Sequence, residues 1–104
     1  AADAGAMTYD DINSVDFTAL SVLVVSTIYA INNITGSLTA ALPAGSDGAR
    51  IKIIDANGGL TGSITVTLTA NGSETINGST LVLDGAYQAV EIQFNATVGI
   101  WNIV

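Results

Sequence analysis

The sequence of 104 residues contains no cysteine and no histidine. Those two absences remove a disulfide framework, thiolate and zinc chemistry, and the commonest general base. Basic residues are nearly missing as well, two against nine acids, for a net charge of −7. Without a basic footprint nothing neutralises nucleic-acid phosphates, and an anionic membrane surface is equally disfavoured. No run approaches the ~18 apolar residues needed to cross a bilayer. The densest, Val22-Leu23-Val24-Val25, stops at Ser26-Thr27. The start carries Asp3 and neither Lys nor Arg, so it does not read as a secretory signal. These absences remove the commonest catalytic tools, and the chain reads as a structural or binding protein.

What is present points toward assembly. Hydrophobic residues reach 49% while charged residues make up only 11%, against roughly 25% in an average soluble domain. Small neutral groups supply the polarity instead. A chain that keeps so few charges on its surface is expected to hide surface in an oligomer. The alternative is a monomer wetted by Thr, Ser and Asn. The length suits one domain, which at this size buries roughly 64% of its unfolded surface.

Charge divides the chain in two. Residues 1–16 hold four of the nine acids (Asp3, Asp10, Asp11 and Asp16) and no base. The opening Ala-Ala-Asp-Ala-Gly-Ala has nothing to pack and reads as a flexible start. The spacing of Ile12 and Val15 allows one short helical turn, and Asn13-Ser14 allows a plain turn. Residues 1–16 therefore read as an N-terminal arm, and 17–104 as a single β-domain.

From Leu20 onward the period is two. Ile64-Thr65-Val66-Thr67-Leu68-Thr69 alternates strictly and is β-branched at every position but Leu68, as suits a half-buried strand. Val90, Ile92 and Phe94 alternate with Glu91 and Gln93, and Arg50-Ile51-Lys52-Ile53 places both cations on one face. Trp101 and Ile103 share a face of the closing strand. Residues 20–31 are apolar on both faces, as in a strand covered on both sides by the fold or by a neighbouring subunit. Loops fall at residues 43–48 and 55–59, with Asn71-Gly72, Asn77-Gly78 and Asp84-Gly85 as hairpin-turn dipeptides. Short strands at such spacing predict an all-β fold, an antiparallel barrel or sandwich preceded by the extended arm.

Few residues carry chemistry. Asp10, Asp11 and Asp16 form the closest carboxylate cluster, but fixed separations and a pocket are needed for acid–base work, so they read as solvated charges on the arm. Asp55-Ala56-Asn57-Gly58 opens like a calcium loop, yet no Glu follows at the required distance, and an Asx turn explains it better. Four Asn-x-Ser/Thr sequons occur, two of them (at Asn71 and Asn77) inside turn dipeptides with the same Asn-Gly-Ser triplet. Trp101, Tyr87, Tyr29 and Phe94 would suit a sugar-binding groove, although aromatics on alternating strands more often form core. No catalytic residue, cofactor site or metal site is expected.

The run Ala41-Leu42-Pro43-Ala44-Gly45-Ser46-Asp47-Gly48-Ala49-Arg50-Ile51-Lys52-Ile53-Ile54-Asp55-Ala56-Asn57-Gly58 resembles a segment recurring in tailed-bacteriophage virion proteins. The alternating strand that follows, Glu74-Thr75-Ile76-Asn77-Gly78 and the closing Gly99-Ile100-Trp101-Asn102-Ile103 fit the same pattern, so the resemblance spans roughly residues 38–104. It implies a β-barrel or sandwich, tulip-like in capsid decoration (cement) proteins, that assembles as a homotrimer. Similar domains occur in head fibres and tail fibres. A single domain with an arm suits a decoration protein best, located on the capsid surface with the major capsid protein as its partner. In that reading Tyr9, Ile12 and Phe17 are the arm's anchors on the capsid. The alternatives are a fibre module for host-surface attachment, an adhesin-like subunit, and, last, an enzyme.

Overall fold

Alternation decides which residues become strands and which face they bury. A computed structural model describes residues 7–104. The predicted flexible start at residues 1–6 lies outside them. Among the described residues nine strands form: β1 (Thr8–Asn13), β2 (Thr27–Asn32), β3 (Leu38–Ala41), β4 (Arg50–Asp55), β5 (Val66–Thr69), β6 (Thr75–Ile76), β7 (Leu81–Leu83), β8 (Ala89–Asn95) and β9 (Ile100–Ile103). One short helix, α1 (Ser14–Thr18), follows β1 directly. A six-stranded sheet runs in the order β1-β2-β4-β8-β9-β6, and a three-stranded sheet in the order β3-β5-β7.

One hydrophobic core serves both sheets. The larger contributes Tyr29, Ile31, Ile51, Ile53, Ile92 and Trp101, and the smaller Leu38, Ala40, Val66, Leu68 and Leu83, all buried. The period-two pattern places them. In β4, Ile51, Ile53 and Asp55 point inward while Arg50, Lys52 and Ile54 face out, and β5 buries Val66 and Leu68 between Thr67 and Thr69. Two edge-to-face aromatic pairs, Phe17 with Tyr29 and Phe94 with Trp101, fill this core at centroid distances of 5.7 and 5.3 Å.

Three expectations need correction. The fold is all-β in substance, but its sheets are mixed and not antiparallel. β1–β2, β2–β4, β3–β5 and β6–β9 pair in parallel, whereas β4–β8, β5–β7 and β8–β9 pair antiparallel. Parallel neighbours need long crossovers, and here the chain supplies them by visiting α1 or the other sheet between partners. Neither sheet closes on itself: β1 and β6 are the edges of one, β3 and β7 of the other.

Residues 8–16 do not form the expected arm. β1 pairs with β2 along its whole length, from Thr8 opposite Thr27 to Asn13 opposite Asn32. Asn13 then caps α1, its Oδ1 accepting the Asp16 N–H at 2.8 Å. The Ser14 hydroxyl ties the helix back to the carbonyl of Asn33 at 2.8 Å. Of residues 20–31, expected as covered strand, only those in β2 are strand. Residues 20–26 bend across the end of the core, held where the N–H of Leu23 meets the carbonyl of Ala41 and the N–H of Ser26 that of Arg50. Asn77-Gly78 does make a two-residue turn, with φ of 49° and 88° and reciprocal bonds between Ile76 and Ser79. Asp84-Gly85 does not; the left-handed residue there is Tyr87, at φ 62°.

Candidate interaction surface

The sequence expectation named Tyr9, Ile12 and Phe17 as surface anchors, and the fold separates them. Phe17 is 1% exposed, packed on Tyr29, and Ile12 sits opposite Ile31 among the buried residues. Both are core residues and unavailable to a partner of the folded chain. Their burial is what fastens β1 and α1 to the body. Tyr9 lies on the opposite face of β1 and is 64% exposed. It alone of the three stands on the surface.

Tyr9 belongs to an uncovered edge. Among the described residues β1 pairs only with β2, so the outward N–H and carbonyl groups of this extended six-residue strand have no sheet partner there. Beside it, residues 20–26 alternate about one plug. Leu23 is buried in the core, which forces Val22 and Val24 outward, and Leu20 is exposed as well. The N–H of Val24 donates to the Tyr29 hydroxyl at 2.8 Å, fixing this segment on the sheet. An open groove of about 470 Å³ separates the two, lined by Tyr9, Asp10, Leu20, Val24, Ser26 and Tyr29. The acids rim it. Asp11 accepts from the side chain of Asn32 at 2.7 Å and Asp16 from that of Asn13 at 3.1 Å, so neither faces a second carboxylate or a nucleophile. The arrangement can do two things: hydrogen-bond an added strand, and bury apolar groups beside it.

The outer face of the six-stranded sheet continues from this edge. Tyr9, Ile28, Ala30 and Ile54 share it with Arg50, Lys52, Glu91 and Gln93. The Arg50 and Glu91 side chains form an ion pair there. This explains the two-sided apolar character read between residues 20 and 31: Tyr29 and Ile31 face the core, while on the other face Ile28 is half-buried and Ala30 fully covered.

At the other end of the strands, Asp55 organises the loops. Only 2% exposed, it spends both carboxylate oxygens on backbone donors. Oδ1 accepts from Gly58 at 3.0 Å and Gly59 at 3.1 Å, and Oδ2 from Leu60 and Tyr87, both at 3.0 Å. Burial alone would raise its pKa, but the four N–H groups outweigh that and hold it below the ordinary carboxylate value. The loop that resembled the start of a calcium site is thus an Asx-type turn extended to a fourth donor from a distant loop. No group of three or more acidic residues placed to hold a metal ion occurs among the described residues.

The same loops present Tyr87. Its backbone is left-handed, its side chain is 69% exposed, and its ring lies against Gly58, where a Cβ would collide with it. The other proposed groove aromatics do not join it, since Trp101, Tyr29 and Phe94 are all buried. No aromatic groove forms. Comparison with protein-family models and with curated proteins returned no match.

Proposed function

We propose that this chain is a non-enzymatic structural protein of a phage virion, a trimeric capsid decoration protein that binds the assembled shell and stabilises it. The observation that carries the reading is the uncovered β1 edge with its apolar flank of Tyr9, Leu20, Val22 and Val24. It is joined by the resemblance of residues 38–104 to virion β-domains and by the scarcity of charge. In this reading the two sheets form a tulip-like sandwich, and the capsid contact is the edge itself. An extended segment of the major capsid protein adds to β1 as a further strand, and Tyr9 packs on it as the anchor. Asp10 and Asp11 on that strand set copies of this chain against pairing edge to edge, which reserves the edge for a different partner.

The mechanism needs no chemistry. A protein that binds the assembled shell and not its separated subunits stabilises the shell by RT ln(1 + [L]/Kd) per site. A trimer engages neighbouring capsomers at high effective concentration, so three weak contacts hold as one strong one.

Copy number in purified particles tests this directly. One copy per major capsid subunit, or a fixed fraction of that, is the expected result. A handful of copies per particle moves the protein to a vertex or the tail, and absence from particles ends the virion reading. Tyr87 supports a second reading, a fibre module for host attachment. An exposed aromatic held at a loop tip in a strained backbone is the kind of feature such a module presents to a ligand. A low copy number together with loss of host adsorption in a Tyr87→Ala variant would favour it.

A further inference from the structure

Three Asn-Gly steps occur, at Asn57, Asn71 and Asn77, and none has a part in the proposed assembly. Each is chemically capable of deamidation. A base removes the proton of the glycine N–H, and the nitrogen attacks the asparagine side-chain carbonyl carbon. The new N–C bond closes a succinimide as the C–Nδ2 bond breaks and ammonia leaves. Water then opens the ring at either carbonyl, giving aspartate or isoaspartate. Water is consumed, ammonia is released, and nothing is oxidised or reduced. Glycine after asparagine favours the step because no Cβ hinders ring closure.

The fold treats the three steps differently. The N–H of Gly58 donates to the buried Asp55 carboxylate at 3.0 Å, so deprotonating it would set two anions together. The N–H of Gly78 donates to Thr75 Oγ1 at 3.2 Å. Asn77 is also held at its side chain, where Oδ1 accepts from Ile103 at 3.3 Å, and at its backbone, which donates to the carbonyl of Trp101. Asn71 and Gly72 are exposed, as Asn77 and Gly78 are, and both glycines are left-handed with open space about them, so hydrogen bonding is what separates the two steps. The N–H of Gly72 has no hydrogen-bond partner among the described residues. The loop is held at Glu74, whose N–H donates to the Asn71 carbonyl at 2.9 Å and whose carboxylate accepts from the Gly45 N–H at 3.1 and 3.2 Å, and neither contact engages the Asn71 side chain or the Gly72 N–H.

We infer that Asn71 is a spontaneous modification site, the asparagine at which this protein deamidates while it remains folded. The molecule contains its own control. Asn71-Gly72-Ser73 and Asn77-Gly78-Ser79 are the same triplet, so a rate difference between them reports the fold and not the sequence.

The experiment incubates the intact protein in mildly alkaline buffer and follows conversion at each asparagine by peptide mass mapping, with ion exchange registering the added negative charge. A sample in denaturant supplies the intrinsic rates. In the folded protein Asn71 is expected to convert at least roughly tenfold faster than Asn77, the denatured rates being taken as the reference, because reaction at Asn77 first requires breaking its hydrogen bonds. Thr75→Val, which removes the acceptor on Gly78, should raise conversion at Asn77 and leave Asn71 unchanged. Equal protection at the two sites, faster conversion at Asn77 or Asn57, or no conversion at Asn71 in the folded state would each overturn the assignment.

Discussion

Replacing Asp55 with asparagine changes one oxygen for one nitrogen and should nonetheless rank among the most damaging substitutions in the chain. Four backbone N–H groups converge on the carboxylate at 3.0–3.1 Å. An amide keeps one acceptor oxygen, so two of the four donors lose their partner and meet an NH2 group instead. Hydrogen bonds to a charged group contribute about 1.5–3 kcal/mol each, so losing two puts the D55N loss at about 3–6 kcal/mol. At ~4–6 °C per kcal/mol for a domain of this size, the melting midpoint falls by roughly 12–36 °C. Equilibrium urea unfolding at neutral pH measures the loss, with an unchanged m-value showing that the same structure is being unfolded. The pH dependence gives a second, independent reading. Asp55 has a folded pKa below its unfolded value of about 3.9, so its stabilisation is complete above that value and disappears as pH falls through the lower, folded one. The native protein should therefore lose stability below about pH 4 more steeply than D55N does. A D55N loss under ~1 kcal/mol, or parallel acid limbs for the two proteins, would refute the account of Asp55 as the tie between two loops.

The remaining predictions concern the other surfaces. Phe17→Ala should cost about 3–5 kcal/mol and Ile12→Ala about 2–4 kcal/mol in urea unfolding, because both lie in the core; costs near zero would restore the arm. Gly45→Ala places a Cβ inside the Phe94 ring and should cost about 1–3 kcal/mol, with Phe94→Leu recovering part of the loss in a double-mutant cycle. Tyr9→Ser should leave the unfolding midpoint within ~0.5 kcal/mol of the native value yet weaken binding to purified capsids by about 2 kcal/mol, roughly thirtyfold. Unchanged capsid binding by that variant would detach the β1 edge from the proposed function.

The core strands were legible in the sequence because β-branched alternation states both the element and its buried face. Val66 and Leu68, Ile51 and Ile53, and Ile92 and Phe94 all follow the pattern. The strand directions were not. Asn-Gly turns imply hairpins, but Asn77-Gly78 joins Ile76 only to Ser79, and the long-range pairing of β6 is with β9, in parallel. Sheet order is a property of crossovers, and crossovers leave no local signature. β1 was hidden for a different reason. An edge strand buries little, and its inward face offers Thr8, Asp10 and Ile12, too polar to register as alternation. The candidate surface is half visible in the sequence: Tyr9 stands out there, but Leu20, Val22 and Val24 carry the pattern of covered strand, because nothing local reveals that Leu23 turns inward and its neighbours outward. The turn at Asp55 was foreseen within its loop. Its fourth donor, the N–H of Tyr87, lies too far along the chain for any spacing rule to find.

The parallel pairing of β1, β2 and β4 has a consequence in time. Only β8 and β9 among the described strands are both consecutive and antiparallel, so one hairpin forms from local chain alone. Every other pairing waits until distant segments meet, and the loop-closure entropy of those meetings comes due before their contacts give any return. Folding should accordingly be slow for so small a chain, with β8–β9 as its starting point and the edge strand among the last to dock. Slow exchange between states serves a protein that must outlast its own synthesis: once the sheet is complete, opening it means undoing many distant meetings together, and persistence becomes a matter of rate as well as of equilibrium.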